Sequence, residues 1–154
     1  MREKVRDAAR ELGLDVTVRT LDESTKTVRE AAAAVGCQEA MIAKSIVMVC
    51  DGDPVVCVTS GAHRVDVERV ALALDCAEVR TATPDEVRAA TGFPIGGVPP
   101  FGYPAPLRTF VDEDLVAHEV VWAACGMPHV NFRATPADLV RATGAAVCDL
   151  AAAG

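Results

Sequence analysis

Aromatic side chains are scarce in this sequence, at 4% of its 154 residues. That argues against a nucleic-acid binder that stacks bases on aromatic platforms. Lysine is scarcer still: positive charge is carried by arginine except at Lys4, Lys26 and Lys44. No apolar run approaches the roughly 20 residues of a membrane-spanning helix, so no membrane partner is expected. The Gly-x-Gly-x-x-Gly fingerprint, the Gly-Lys-Ser/Thr ending of a phosphate loop, the Gly-x-Ser-x-Gly elbow and His-Glu-x-x-His are all missing. Cys125 and His129 form a loose pair with no second pair beside it, and Cys50 and Cys57 belong to strands of one hairpin. Neither arrangement has zinc-ligand spacing, so no metal and no cofactor are expected.

What is present is a hydrophobic fraction of 51%, enough for a single domain over residues 1–154 with a core of Val, Leu, Ile and much Ala. The formal net charge of −7 repels phosphate backbones and membrane surfaces at long range. A nucleic-acid partner would have to be met by a local basic patch. The six cysteines are Cys37, Cys50, Cys57, Cys76, Cys125 and Cys148, most of them inside apolar runs. The charged stretch from Arg2 to Glu11 does not read as a signal peptide. The expectation is a cytoplasmic protein with reduced, buried thiols.

Helical spacing of Val5, Ala8, Ala9 and Leu12 predicts a helix over 2–12, closed by Gly13. A strand over 16–21 and an Ala-rich helix over 27–35 follow, the helix capped by Ser24 or Thr25 and ended by Gly36. The β-rich runs 45–50 and 55–59, joined by Asp51-Gly52-Asp53-Pro54, predict a hairpin. Helices are expected over 65–74, from Pro84 behind Thr83 to Thr91-Gly92, and from Thr135-Pro136 to Thr143. Short strands are expected at 78–81, 109–111, 119–122, 129–132 and 146–148. Together these give an α/β (α+β) fold whose mixed, partly antiparallel sheet is surrounded by helices.

Two features stand out chemically. Lys44 lies at the mouth of a core strand, where partial burial lowers a lysine pKa and three donors can hold an anion or a carbonyl oxygen. A lysine snorkelling at a strand end has the same pattern. The segment 92–106 is too rich in Gly and Pro for helix or strand. Gly96 and Gly97 leave backbone groups bare, and prolines such as Pro99 make a stiff wall. It reads either as a binding loop or as a long cover on a sheet edge. Thr59, Ser60, His63 and Arg64, between a strand and a helix, are further candidates for ligand contact, or a polar connection with a helix cap. Ser45 and the strand residue Asn131 complete the polar set.

The order of these segments carries a resemblance. An Ala-rich helix leads to Ile42-Ala43-Lys44-Ser45-Ile46-Val47-Met48, then to a Gly-Asp hairpin and Val58-Thr59-Ser60-Gly61. Next comes Thr91-Gly92-Phe93-Pro94-Ile95-Gly96-Gly97-Val98-Pro99-Pro100-Phe101-Gly102, and finally Pro136-Ala137-Asp138-Leu139-Val140. From about Val18 to Val147 the chain resembles the YbaK/prolyl-tRNA-synthetase-associated domain family. The resemblance implies that family's mixed-sheet fold and hydrolysis, in trans, of the ester of a mischarged aminoacyl-tRNA. It implies a small amino acid such as Ala, Cys or Ser on tRNA(Pro) or a related tRNA, with the acceptor end as partner and an aminoacyl-tRNA synthetase as a further candidate. The family lysine falls on Lys44 and the glycine pair on Gly96 and Gly97. Ser45, Thr59, Ser60, His63, Arg64, Pro99, Phe101 and Asn131 are the implied substrate contacts. Asn131 replaces an aspartate found in some members, which removes a candidate general base. Prolines stand at 99 and 100 where many members carry serine or another small residue. The competing readings are a tRNA- or synthetase-binding module without catalysis, and a small-molecule or nucleotide binder using the same cleft.

Overall fold

The structure is a computed structural model that describes residues 2–14, 17–20, 27–127 and 130–150. Its spine is a hairpin. Strand β2, Ile42–Cys50, turns through Asp51-Gly52 into β3, Asp53–Ser60. Both turn residues have positive φ, 48° and 88°, as a two-residue hairpin turn requires. The run is longer than the apolar pattern suggested, because Asp53 and Pro54 already pair with Cys50 and Val49. Pro54 is tolerated because antiparallel pairs alternate. Gly61 N–H donates to the Ile42 carbonyl, so the bonded positions of β2 toward β3 are the even ones. The Val49–Pro54 pair falls between them and loses nothing to the missing N–H.

Around this hairpin the remaining strands are β1 (Thr17–Thr20), β4 (Val79–Thr81), β5 (Thr109–Asp112), β6 (Val121–Ala124), β7 (Val130–Ala134) and β8 (Ala146–Cys148). The order across the sheet is β1-β7-β6-β2-β3-β5-β8, with β4 pairing to β2 off this path. Pairs β2–β6, β3–β5 and β5–β8 are parallel and the others antiparallel, so the mixed sheet anticipated above is observed. The helices are α1 (Arg2–Glu11), α2 (Val28–Val35), α3 (Val67–Leu74), α4 (Pro84–Thr91), α5 (Glu113–Val116) and α6 (Pro136–Thr143).

Local chemistry explains most boundaries. At α4 the Thr83 side chain accepts from Glu86 N–H while the Glu86 carboxylate accepts from Thr83 N–H, and Gly92 closes the helix at φ 81°. Thr27, not Ser24 or Thr25, caps α2, its hydroxyl accepting from Glu30 N–H; Ser24 and Thr25 lie outside the described residues. Asp66 caps α3 two residues later than the apolar pattern placed its start. The strand expected at 119–122 is shifted to β6, and that expected at 129–132 begins at Val130, His129 lying outside the described residues. Two short elements had no anticipated counterpart: a 3-10 turn at Glu39–Met41, and α5.

Apolar residues segregate to two faces. Odd positions of β2 (Ala43, Val47, Val49) join Val56 and Val58 in the main core, with Val5, Val87, Phe93, Phe101 and Phe132. Even positions Met48 and Cys50 pack with Cys57, Val70, Leu74 and Phe110 under α3.

The cysteines do not all meet expectation. Cys37, Cys57, Cys125 and Cys148 form no disulfide, but Cys50 and Cys76 do, their Cα atoms 5.7 Å apart. The cause is β4, which pairs antiparallel with β2 and places Val79 opposite Cys50. The chain entering β4 is thereby drawn alongside the end of β2. Asp51 reinforces the junction by accepting from the N–H groups of Ala77 and Glu78.

Candidate functional site

The sheet forks at β2. On the edge away from β3, Ile42 and Ala43 pair with β6, while Met48, Val49 and Cys50 pair with β4. Between these contacts, residues 44–47 pair with no strand on that edge among the described residues. A cavity of about 300 Å³ opens in that gap. Thr27, the cap of α2, and Val28 and Ala31 within it form one wall, and Thr81 of β4, the following Ala82 and Val87 of α4 another. Ile95, Gly96 and Val98 of the glycine-proline loop close it, and Ala124 and Asn131 border it from β6 and β7.

Polar groups are few there, and they converge. Lys44 lines the cavity and its Nζ donates to the His63 carbonyl at 3.0 Å. Burial, and then the nearby Arg64 charge, lower its pKa from the ordinary 10.5. Ser45 Oγ and Asn131 Nδ2 are buried without a hydrogen-bond partner, and both residues line the cavity. A buried polar atom left unbonded costs about 1–3 kcal/mol, and these two belong to residues that border the hollow, Ser45 from the core face of the sheet and Asn131 from the opposite face. Among the described residues the lining contains no carboxylate and no imidazole.

Of the residues singled out in the sequence, Lys44, Ser45, Gly96 and Asn131 meet at this cavity. The others lie elsewhere. Gly97 packs against a second loop: its N–H donates to the Pro94 carbonyl and its own carbonyl accepts from Gly126 N–H, both at 2.9 Å. Thr59 sits opposite Lys44 in β3, buried, with its hydroxyl unbonded. Ser60 Oγ donates to the Ala40 carbonyl at 2.8 Å and pins the 3-10 turn. His63 pairs through Nε2 with Asp114 at 3.3 Å, while Arg64 is exposed. The Pro99 carbonyl accepts from the Tyr103 hydroxyl at 2.6 Å. Phe101 is a core residue whose ring centroid lies 5.5 Å from that of Phe132.

Sequence reasoning missed the apolar walls on α2, β4 and α4. Their residues are Val, Ala and Thr at ordinary core spacing, and nothing in the pattern separates a cavity wall from packed interior. For a metal, the described residues offer one cluster, Cys50, Asp51 and Cys76, and its two sulfurs are bonded to each other. Among the described residues no helix is long and apolar enough to cross a membrane.

Comparison with known proteins gives this site a context. A solved structure, "Crystal structure of a putative trans-editing enzyme for prolyl tRNA synthetase", is 42% identical and superposes with a TM-score of 0.93, over 99% of this chain and 97% of that one. The "Uncharacterized protein YwhH" of Bacillus subtilis (strain 168) is 32% identical over 126 residues, 81% of this chain and 78% of its own length. The "Proline--tRNA ligase" of Geobacter sp. (strain M21) is 33% identical over 90 residues, which are 58% of this chain but only 16% of that enzyme. The family described as "Aminoacyl-tRNA editing domain" matches residues 22–142. The match spans most of the chain, and this chain belongs to the aminoacyl-tRNA editing domain family.

Proposed function

We propose that the chain hydrolyses, in trans and in the cytoplasm, the ester that joins a small amino acid such as Ala, Cys or Ser to tRNA(Pro) or a related tRNA. The observation that carries this reading is the cavity at the sheet fork, where Lys44 and two unbonded polar atoms meet inside apolar walls. At about 300 Å³ it lies at the lower end of small-molecule sites, which run from about 300 to 1,000 Å³. It suits an aminoacyl group and the edge of its ribose, with the rest of the tRNA outside.

Lys44, tethered at the His63 carbonyl, holds the terminal phosphate or the ester carbonyl and orients it. Exposed Arg64 stands beside it toward the tRNA end. Backbone at Gly96 and the amide of Asn131 position the acyl group and a water molecule. The water oxygen attacks the ester carbonyl, the acyl–oxygen bond breaks, and the ribose oxygen leaves as a hydroxyl. An ester is already activated, and a ribose hydroxyl of the substrate can relay the proton, so the reaction needs no carboxylate from the described lining. Apolar walls discriminate one methylene by about 1–3 kcal/mol, which sorts small residues by size.

That the described lining residues hold no carboxylate or imidazole favours one second reading, a module that binds the aminoacyl end without cleaving it. Deacylation assays over a panel of mischarged tRNAs separate the two. Hydrolysis lost in Lys44→Ala, with circular dichroism unchanged, supports the enzyme. Retained tRNA binding with no deacylation of any substrate overturns it. An unfolded Lys44→Ala makes the lysine structural.

A further inference from the structure

We infer that the aminoacyl group completes the sheet: it occupies the fork as a single strand residue and exchanges two hydrogen bonds with the backbone of Ser45. This rests on the reading of the cavity as an aminoacyl site, and it names what the site grips.

The argument is one of strand parity. Even residues of β2 turn their N–H and C=O toward β3, as the Gly61 N–H to Ile42 carbonyl bond fixes. Odd residues therefore turn theirs toward the other edge. There Ala43 meets β6 and Val49 meets β4. The Val47 carbonyl accepts from Ala82 N–H at 3.0 Å. Ser45 is left between them, its N–H and C=O aimed into the fork with no strand opposite among the described residues. Its hydroxyl is buried and unbonded at the same spot, and the residue lines the cavity.

An aminoacyl ester carries an α-ammonium and a carbonyl separated as in one residue of a polypeptide. In an antiparallel pair, a bonded residue exchanges N–H···O=C contacts in both directions with its partner. The α-ammonium then donates to the Ser45 carbonyl, and Ser45 N–H donates to the ester carbonyl. When water attacks, the negative charge developing on that ester oxygen strengthens the second bond, so Ser45 N–H serves as an oxyanion donor. The ligand class follows: α-amino acyl groups, with the amine as a required donor. The grip uses no side chain and is indifferent to the amino acid's own side chain, which the apolar walls sort.

The probe is a non-hydrolysable pair, 3′-deoxy-3′-(L-alanylamino)adenosine and its propionylamino counterpart, which lacks the amine. Binding is followed by calorimetry, and the Ser45 amide by hydrogen exchange in ¹⁵N-labelled protein. The alanyl compound should protect the Ser45 amide, and the propionyl compound should bind at least about tenfold more weakly, one hydrogen bond's worth. Ser45→Pro removes the N–H, and because that N–H faces the fork it breaks no β2–β3 bond, as Pro54 breaks none in the partner strand. It should bind the alanyl compound at least about tenfold more weakly while still folding. Should it unfold, replacement of the Ser45 amide by an ester, through the α-hydroxy analogue of serine, removes the same donor. Equal binding of the two compounds, an unprotected Ser45 amide at saturation, or full affinity after loss of the N–H overturns the bridge. Binding as described with no hydrolysis of any aminoacyl-tRNA overturns the enzyme reading alone. Deacylation at equal rates of alanyl and propionyl esters overturns the bridge alone.

Discussion

A methyl group added at Gly97 has no room. Its carbon would stand 2.7 Å from the Gly126 carbonyl oxygen, 2.9 Å from the Gly126 carbonyl carbon and 3.0 Å from Met127 Cα. All three are backbone atoms, so no rotamer change relieves the clash. Ordinary contact begins near 3.4 Å, so the two loops must part by 0.7 Å (3.4 less 2.7). That strains the Gly126 N–H to Gly97 carbonyl bond that joins them. Overpacking of this kind costs about 1–3 kcal/mol. A domain of about this size loses about 2–4 °C of Tm per kcal/mol, so Gly97→Ala should melt about 2–12 °C lower. The displaced loop carries Gly96 and Val98 into the cavity, so kcat/KM for deacylation should fall with it. Differential scanning calorimetry and single-turnover deacylation measure the two effects. Gly96→Ala is the companion: its φ of 88° makes the fault there conformational, at about 1–2 kcal/mol. A Gly97→Ala protein that melts and deacylates as wild type would refute the close approach of the two loops.

Other outcomes follow from the same geometry. Ser45→Ala removes an unbonded buried hydroxyl, so stability in urea should hold or rise by about 1 kcal/mol; a marked loss would mean that the hydroxyl is bonded after all. Phe101→Ala should cost about 3–5 kcal/mol by calorimetry, as a core deletion does, and a stable variant with altered substrate choice would move Phe101 from the core to the site. Reducing the Cys50–Cys76 disulfide, 26 residues apart, should lower stability by about 3 kcal/mol, read from the denaturant midpoint with and without a dithiol; coincident midpoints would contradict it. Lys44 has its folded pKa lowered from 10.5, so between that lowered value and 10.5 the unfolded chain binds the extra proton. Stability should therefore rise with pH across that window, and Lys44→Met should flatten the rise. Binding of a 3′-phosphorylated analogue should weaken across the same window, as Lys44 loses its charge.

What could be read from the chain was what neighbours in sequence decide. Thr83, Pro84, Glu86 and Gly92 specify α4 from cap to cap, and Asp51-Gly52 specifies the hairpin turn. Lys44 was conspicuous because a chain built on arginine places a lysine at a core strand. The fork itself was not legible. It exists because β4, three residues long, lands on the same edge of β2 as β6. No local pattern in Val79-Arg80-Thr81 says which strand it will meet. The disulfide was lost for the same reason, since Cys76 reaches Cys50 only through that pairing. Phe101 and Pro99 were misleading in the opposite sense. A loop dense in Gly and Pro looks like binding surface throughout, yet this one sends Phe93, Val98 and Phe101 into the core and buries Pro99 and Pro100.

The position of the fork has a consequence for how such a domain can diversify. The odd residues of β2 commit their side chains to the main core and their backbone to the open edge. Altering that strand disturbs the foundation, and its main-chain atoms are beyond the reach of ordinary substitution. Val28 on α2 and Ile95 on the glycine-proline loop, neither of them buried in the core, carry no such double duty. A lineage can therefore redraw the outline of the acceptable amino acid by exchanging Val28 or Ile95, while the recognition of an amino acid as such is inherited unchanged with the sheet.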